Sequence, residues 1–198
     1  MKPIINLTDI ILASASPRRE ALLKGMGLKF RVIAPAIEDE PGFKHILNSK
    51  KPYQYAIKIA KIKAQSIGSW IKDDAIIISA DTIVVMQNRI IGKPKNKNDA
   101  KRILRLLNGK THSVITGVCI LKTPQMHLRC FHVSTKVKMS KLTDKEIGWY
   151  VKTREPMDKA GAYGIQGIGG LFVEKINGSY TNVVGFPTAE LLKALKKL

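Results

Sequence analysis

Asp81 is the residue with the most unusual surroundings in the chain. It stands with Thr82 between two β-branched apolar runs, Ile76 to Ile78 and Ile83 to Val85, in the stretch IIISADTIVVMQNRIIGKPK. Such runs fit a pleated surface, and a nearly continuous one is what a strand covered on both faces requires. A carboxylate in that frame needs a partner, because an unpaired buried charge costs several kcal/mol or forces the group to neutralise. A backbone turn, a lysine or a metal ion would each serve. The plain alternative is an Asp that satisfies backbone N–H groups at a strand end. The residues that follow favour chemistry: Gln87-Asn88-Arg89 has turn character, Ile90-Ile91 resumes the apolar run, and Gly92-Lys93-Pro94 ends it. A hairpin here returns Lys93 to the neighbourhood of Asp81.

Three further stretches could handle an anion, a metal or a base. Ile10 to Ala13 runs directly into Ser14-Ala15-Ser16-Pro17-Arg18-Arg19, where Ser16 suits a helix N-cap and Pro17 the first helical position. A strand, a tight turn and a helix N-terminus present free N–H groups to an anion, with Ser14 at the turn and Arg18 adding a forked guanidinium. Glu38-Asp39-Glu40 is an acidic cluster in an otherwise basic chain, suited to Mg²⁺ or Mn²⁺ or simply to water. Glu155 to Gly170, EPMDKAGAYGIQGIGG, is too rich in glycine and alanine for a regular element but lets backbone approach a ligand closely. Its Gln166 could read a base, since one amide both donates and accepts. His112 has no second His or Cys at metal spacing and reads as a surface or structural residue.

The elements that must position these groups follow from periodicity and punctuation. A helix is expected from Pro17 to about Met26 and a strand over Phe30 to Ala34. Tyr53, Ala56, Ile57, Ala60, Ala64, Ile67 and Ile71 form the stripe of a long amphipathic helix from Pro52. Lys58 points away from that stripe, while Lys61 and Lys63 flank it on opposite sides, and periodicity does not choose between them. Asn98 or Asp99 is expected to cap a helix carrying Ala100, Ile103, Leu104 and Leu107, with Gly109 as its stop. Thr111 to Lys122 and Leu128 to Met139 read as an antiparallel pair, and Thr143 with Glu146 as a capping box. A strand over Leu171 to Ile176, a turn at Asn177-Gly178 and an amphipathic helix opened by Pro187 complete the chain.

The 198 residues suffice for one substantial core, and no repeat or linker divides them, so a single domain with two lobes around a cleft is expected. The apolar fraction of 44% is ordinary for a globular protein, and no apolar run nears the roughly 20 residues that span a bilayer. The N-terminus lacks a signal-peptide layout, and Cys119 and Cys130 show no CxxC or metal spacing. Together these fit a cytoplasmic protein with reduced, packing cysteines and no membrane partner. Charge is the outlier: 34 Lys+Arg against 15 Asp+Glu give +19. That excess favours polyanionic partners, nucleic acid or phosphorylated small molecules.

Taken in order, ASASPRR (13 to 19), SADTIVV through GKPK (79 to 95) and EPMDKAGAYGIQG (155 to 167) resemble the Maf family of nucleoside triphosphate pyrophosphatases, described also as septum-formation inhibitors. THSVITGV (111 to 118) and GSYTNVVGFP (178 to 187) fit the same pattern, so the resemblance spans nearly the whole chain. It implies an α/β fold of the inosine-triphosphatase-like type, a mixed twisted sheet with flanking helices, often assembled as a homodimer. It implies hydrolysis of a nucleoside triphosphate to the monophosphate and pyrophosphate with a divalent metal cation, Mg²⁺ or Mn²⁺. By the same resemblance Asp81 is the proton acceptor, while Arg18, Thr82 and Gln166 bear on substrate choice. Lys63, Lys93 and Glu38 or Asp39 bear on metal or phosphate binding, Asp39 standing where the family usually has Glu. The KAGAYGIQG loop resembles the branch acting on dTTP and UTP; the same enzyme class acting on modified pyrimidine nucleotides, in a housecleaning role, is a separate alternative. A related branch with Glu near the place of Gln166 prefers 7-methyl-GTP. A neutral amide pairs with the acceptor and N–H edge of uracil or thymine, whereas a carboxylate accepts from guanine donors. The competing class is a nucleic-acid-binding or regulatory protein in cell-division control, whose binding would weaken steeply with salt and survive loss of Asp81.

Overall fold

The computed structural model describes residues 9–36 and 51–198. Its centre is β3 (Ala75–Met86), one uninterrupted strand of 12 residues containing both apolar runs. Of these only Asp81 and Thr82 are not fully buried. On one side β3 pairs in parallel with β1 (Ile10–Ala13), which pairs in parallel with β2 (Arg31–Val32). On the other side β5 (Thr111–Thr123), β6 (His127–Met139) and β7 (Val173–Asn177) continue the sheet antiparallel. The result is a seven-stranded mixed sheet of order β2-β1-β3-β5-β6-β7, with β4 (Arg89–Ile91) paired to the far end of β3. The hairpin read from Gln87-Asn88 forms as expected. Both residues take positive φ, 50° and 61°, the conformation a two-residue turn needs to follow strand twist.

Strand alternation assigns the faces of β3. Ile76, Ile78 and Ala80 pack with Leu23 of α1 (Pro17–Gly25) and with Leu191 and Leu195 of α6 (Thr188–Leu195). Ile77, with Ile11 and Leu121, packs on the opposite face against Ala60, Ala64 and Ile67 of α2 (Pro52–Gly68). Because side chains alternate, Asp81 faces α2 and Thr82 faces α1. Beyond this pair the strand enters a second core. There Val84 and Met86 meet Ile103, Leu104 and Leu107 of α3 (Lys97–Leu107) and Ile147, Tyr150 and Val151 of α4 (Asp144–Lys152). Asp81 and Thr82 therefore lie where two cores meet.

α2 sits unusually close to the sheet at this level. Gly117 is the β5 partner of Asp81, and a Cβ there would lie 2.5 Å from backbone atoms of Ala56 and Ile57. The Ser79 hydroxyl donates to the Ala60 carbonyl at 2.6 Å, fixing the same approach one turn along. Backbone cannot yield as a side-chain tip can, so Gly117→Ala is expected to push α2 off the sheet and cost about 2–3 kcal/mol. Chemical denaturation should show a lower midpoint with an unchanged slope.

Most elements match their expected bounds within a few residues, and the Thr143–Glu146 capping box is present. Three expectations change. The cap of α3 is Asn96, whose side chain accepts from the Asp99 amide, so Asn98 and Asp99 fall inside the first turn. A short helix, α5 (Tyr180–Val184), follows the Asn177-Gly178 turn, where no element is expected. The cysteines are not reduced packing residues: Cys119 and Cys130 stand directly opposite in the β5–β6 ladder, Cα atoms 4.2 Å apart, and form a disulfide. Side chains of such a close cross-strand pair meet on one face, so register alone brings the sulfurs together. The cytoplasmic reading loses that part of its support. No described helix is long and apolar enough to cross a membrane.

Candidate active site

A cavity of about 640 Å³ opens over the Asp81–Thr82 break, between the N-terminus of α1, the end of β4 and the glycine-rich segment. The acid at its floor is paired. Lys63 Nζ on α2, 6% exposed, donates to Asp81 Oδ1 at 3.1 Å. This resolves the choice between Lys61 and Lys63 by geometry: Lys63 precedes Ala64 on the face laid against β3. The Asp81 charge also reaches Tyr55, whose phenol is pushed above its ordinary range by burial first and by Asp81 second.

Thr82 is held from the other side of the sheet. Its hydroxyl accepts from Arg19 Nη2 at 3.2 Å, lies 2.9 Å from Thr116 Oγ1, and donates to the Gly185 carbonyl at 3.3 Å. Arg19 also donates from Nε to Gly185 O and from Nη1 to Ser14 Oγ. Ser14 itself is 1% exposed and accepts from the Ser16 amide, so its hydroxyl serves the turn that positions the arginines. Among the anticipated residues, Arg18, Lys63, Asp81, Thr82, Lys93 and Gln166 all line the cavity. Lys93 arrives by the hairpin: Ile91 is registered against Val84, and Lys93, two residues on, lines the cavity. Glu38 and Asp39 lie outside the described residues.

Sequence reading passed over several groups that matter. Arg19 reads like Arg18 on paper, yet one is buried while the other extends toward Asp158 at 3.5 Å. Glu155 and Lys159 line the cavity from the glycine-rich segment, where only Gln166 attracted notice. Lys159 Nζ donates to Asp158 Oδ1 and Glu155 O, both at 2.7 Å. His112 is indeed structural: it is buried, its Nε2 lies 2.7 Å from the Tyr163 hydroxyl, and burial lowers its pKa to about 4. It is neutral at physiological pH and holds Tyr163 as a cavity wall.

The cavity thus gathers Arg18, Arg19, Lys63, Lys93 and Lys159 around Asp81, Glu155 and Asp158, a cationic excess suited to a polyanion. The sequence model described as Maf-like protein matches residues 9–198. The chain belongs to the Maf family. Its relatives include the dTTP/UTP pyrophosphatase of Alkaliphilus metalliredigens, 49% identical over 189 residues and 95% of each chain. The protein of the same name from Dictyoglomus thermophilum is 47% identical over 190 residues, 96% of each chain. Among solved structures, a nucleoside-triphosphatase (dITP/XTP pyrophosphatase) from Mycobacterium abscessus aligns with 68% of this chain and 76% of its own. Its TM-score is 0.42 at 13% identity, too slight a likeness to carry an argument. The Maf resemblance carried by the Ser-Pro-Arg-Arg turn, the Asp81 strand and the glycine-rich loop is borne out.

Proposed function

We propose that this Maf-family chain hydrolyses dTTP and UTP to the nucleoside monophosphate and pyrophosphate. The observation that carries the reading is the Asp81–Lys63 pair at the floor of a cationic cavity with Gln166 on its wall. The two nearly full-length relatives named dTTP/UTP pyrophosphatase support it. The two cores that meet at Asp81 and Thr82 are then the two lobes of the substrate cleft.

In this mechanism the Asp81 carboxylate orients a water and takes its proton as oxygen attacks the α-phosphorus, and pyrophosphate departs. Lys63, Lys93 and Arg18 offset charge on the leaving group, so catalysis is positional and electrostatic. Lys63 also holds the Asp81 carboxylate in position before substrate arrives. Among the described residues no group of three or more His, Cys, Asp or Glu could hold a metal alone. That suits Mg²⁺, which is commonly bound by one or two carboxylates together with substrate phosphates and water. Among the described residues Asp81 is the candidate oxygen donor of that kind, with Glu38 or Asp39 the partner the sequence offers. A bound Mg²⁺ or Mn²⁺ would neutralise phosphate charge and polarise the phosphoryl group.

Pyrophosphate release with Mg²⁺ or Mn²⁺ across dTTP, UTP, CTP, ATP, GTP and 7-methyl-GTP tests the reading. Turnover confined to dTTP and UTP supports it, while folded, metal-supplied protein that turns over none of them refutes it. Gln166→Glu replaces a donor-acceptor amide with an acceptor alone. It should lower kcat/KM for UTP and dTTP relative to GTP by about tenfold to a hundredfold. An unchanged substrate ranking would remove Gln166 from base recognition.

A further inference from the structure

The loop that carries Gln166 is tied internally by two backbone hydrogen bonds, Gly167 N–H to Gly164 O at 3.4 Å and Gly170 N–H to Gly167 O at 3.0 Å. Residues 164 to 170 include Gly164, Gly167, Gly169 and Gly170, and ordering glycines costs more backbone entropy than ordering any other residue. Gln166 itself is exposed and lines the cavity. One carboxylate joins the loop to the segment before it. Glu155 Oε2 accepts from the Ile168 amide at 2.9 Å, and Oε1 accepts from the Gly169 amide at 3.0 Å and from the Tyr150 hydroxyl at 2.9 Å. The Tyr150 hydroxyl lies near the other end of the loop as well, where the Gly164 amide acts on it against the upward push of burial. Tyr150 is fully buried and packs edge-to-face on Phe172 at 5.0 Å, which anchors the assembly in the α4 core.

The carboxylate also fills the space behind the apex. A Cβ at Gly167, the residue after Gln166, would lie 2.6 Å from both Glu155 oxygens. Burial works against the charged form of Glu155. The Gly169 and Ile168 amides, the Tyr150 hydroxyl and Lys159 outweigh it and hold the group ionised below the usual carboxylate range. Three donors converge on two oxygens, an arrangement an amide cannot satisfy because its NH₂ would face backbone N–H groups.

We propose that Glu155 is a positioning residue for base recognition: it fixes the Gly164–Gly170 loop in the pose that presents Gln166 to the cavity, acting through Gln166. The inference rests on reading Gln166 as the group that contacts the base. It makes pyrimidine preference depend on a side chain whose oxygens are already committed to the protein.

The test compares Glu155→Gln, Gly167→Ala and Gln166→Ala with the parent protein, using UTP, dTTP, GTP and inorganic pyrophosphate as a product inhibitor. Glu155→Gln should raise KM for UTP and dTTP about tenfold, with a smaller fall in kcat, and narrow the UTP-to-GTP ratio of kcat/KM by a similar factor. The inhibition constant for pyrophosphate should stay within about twofold, because it reads only the phosphate-binding cations. Gly167→Ala displaces the carboxylate without removing its charge and should give the same pattern, so the proposal stays testable if Glu155→Gln folds poorly. The proposal falls if both variants keep the parental substrate ranking while Gln166→Ala changes it. It falls equally if kcat, every KM and the pyrophosphate constant shift together, which is what a purely structural role produces. A ranking unmoved in Gln166→Ala overturns the base-reading assignment and this inference with it.

Discussion

Asp81→Asn is expected to reduce turnover of dTTP and UTP by about a thousandfold, since in the proposed mechanism it removes the group that takes the proton and an anion around which the site is charged. The substitution is nearly isosteric, and the position already interrupts burial in β3, so the sheet has no reason to rearrange. Its effect on stability is smaller and comes from Lys63, a buried ammonium whose carboxylate partner becomes an amide oxygen. Asparagine keeps one acceptor in reach, so the loss should be about 2 kcal/mol, below the 3–5 kcal/mol of an ion pair broken outright. Pyrophosphate release and equilibrium denaturation on the same preparation separate the two effects. A variant that retains a tenth of parental turnover would show that the Asp81 carboxylate orients water without accepting its proton.

The parts of this site readable from sequence are those set by local rules. The apolar frame around Asp81 announces a buried strand, Gln87-Asn88 announces the hairpin that returns Lys93, and Ser16-Pro17 announces the start of α1. What was not readable depends on register and on contacts distant in sequence. Lys61 and Lys63 are equivalent on a helical wheel, and the choice is made by Gly117, a residue more than 50 positions away that lets one face of α2 press on β5. Cys119 and Cys130 are bonded because the β5–β6 turn sets them opposite, and no spacing rule contains that register. Asn96 displaces Asn98 and Asp99 as the α3 cap, because all three are competent and only the path of the incoming chain decides. The glycine-rich loop shows the limit most clearly. Composition marks it as a place where backbone meets ligand, and Gln166 as its polar group, but it does not show that Glu155, the first residue of the stretch, and Tyr150, in the helix before it, fold back onto the Ile168 and Gly169 end.

Arg19→Lys is expected to cost about 2–3 kcal/mol of stability and to lower kcat/KM by about tenfold to a hundredfold, although the charge is kept. Arg18 and Arg19 are adjacent, and one step along a helix turns a side chain by about 100°. Arg18 therefore reaches the open cavity, with 39% of its side chain exposed, while Arg19 points back into the protein at 8%. There its three donor directions meet Gly185 O, Ser14 Oγ and Thr82 Oγ1, joining the end of α5, the turn before α1 and the centre of β3. Those segments carry cavity wall at Gly185, at Ala15 and Ser16, and at Asp81 and Thr82. A lysine ammonium is a compact point charge and cannot span the same fork, so at least one buried acceptor loses its donor and the segments lose their common tie. Arg18→Lys is the contrast: at a half-exposed position its stability should change by less than about 0.5 kcal/mol, with the loss confined to KM. Denaturation midpoints and steady-state kinetics on both variants decide the matter. If Arg19→Lys behaves as Arg18→Lys does, the two arginines share a phosphate-binding role, and the buried fork contributes nothing to the shape of the site.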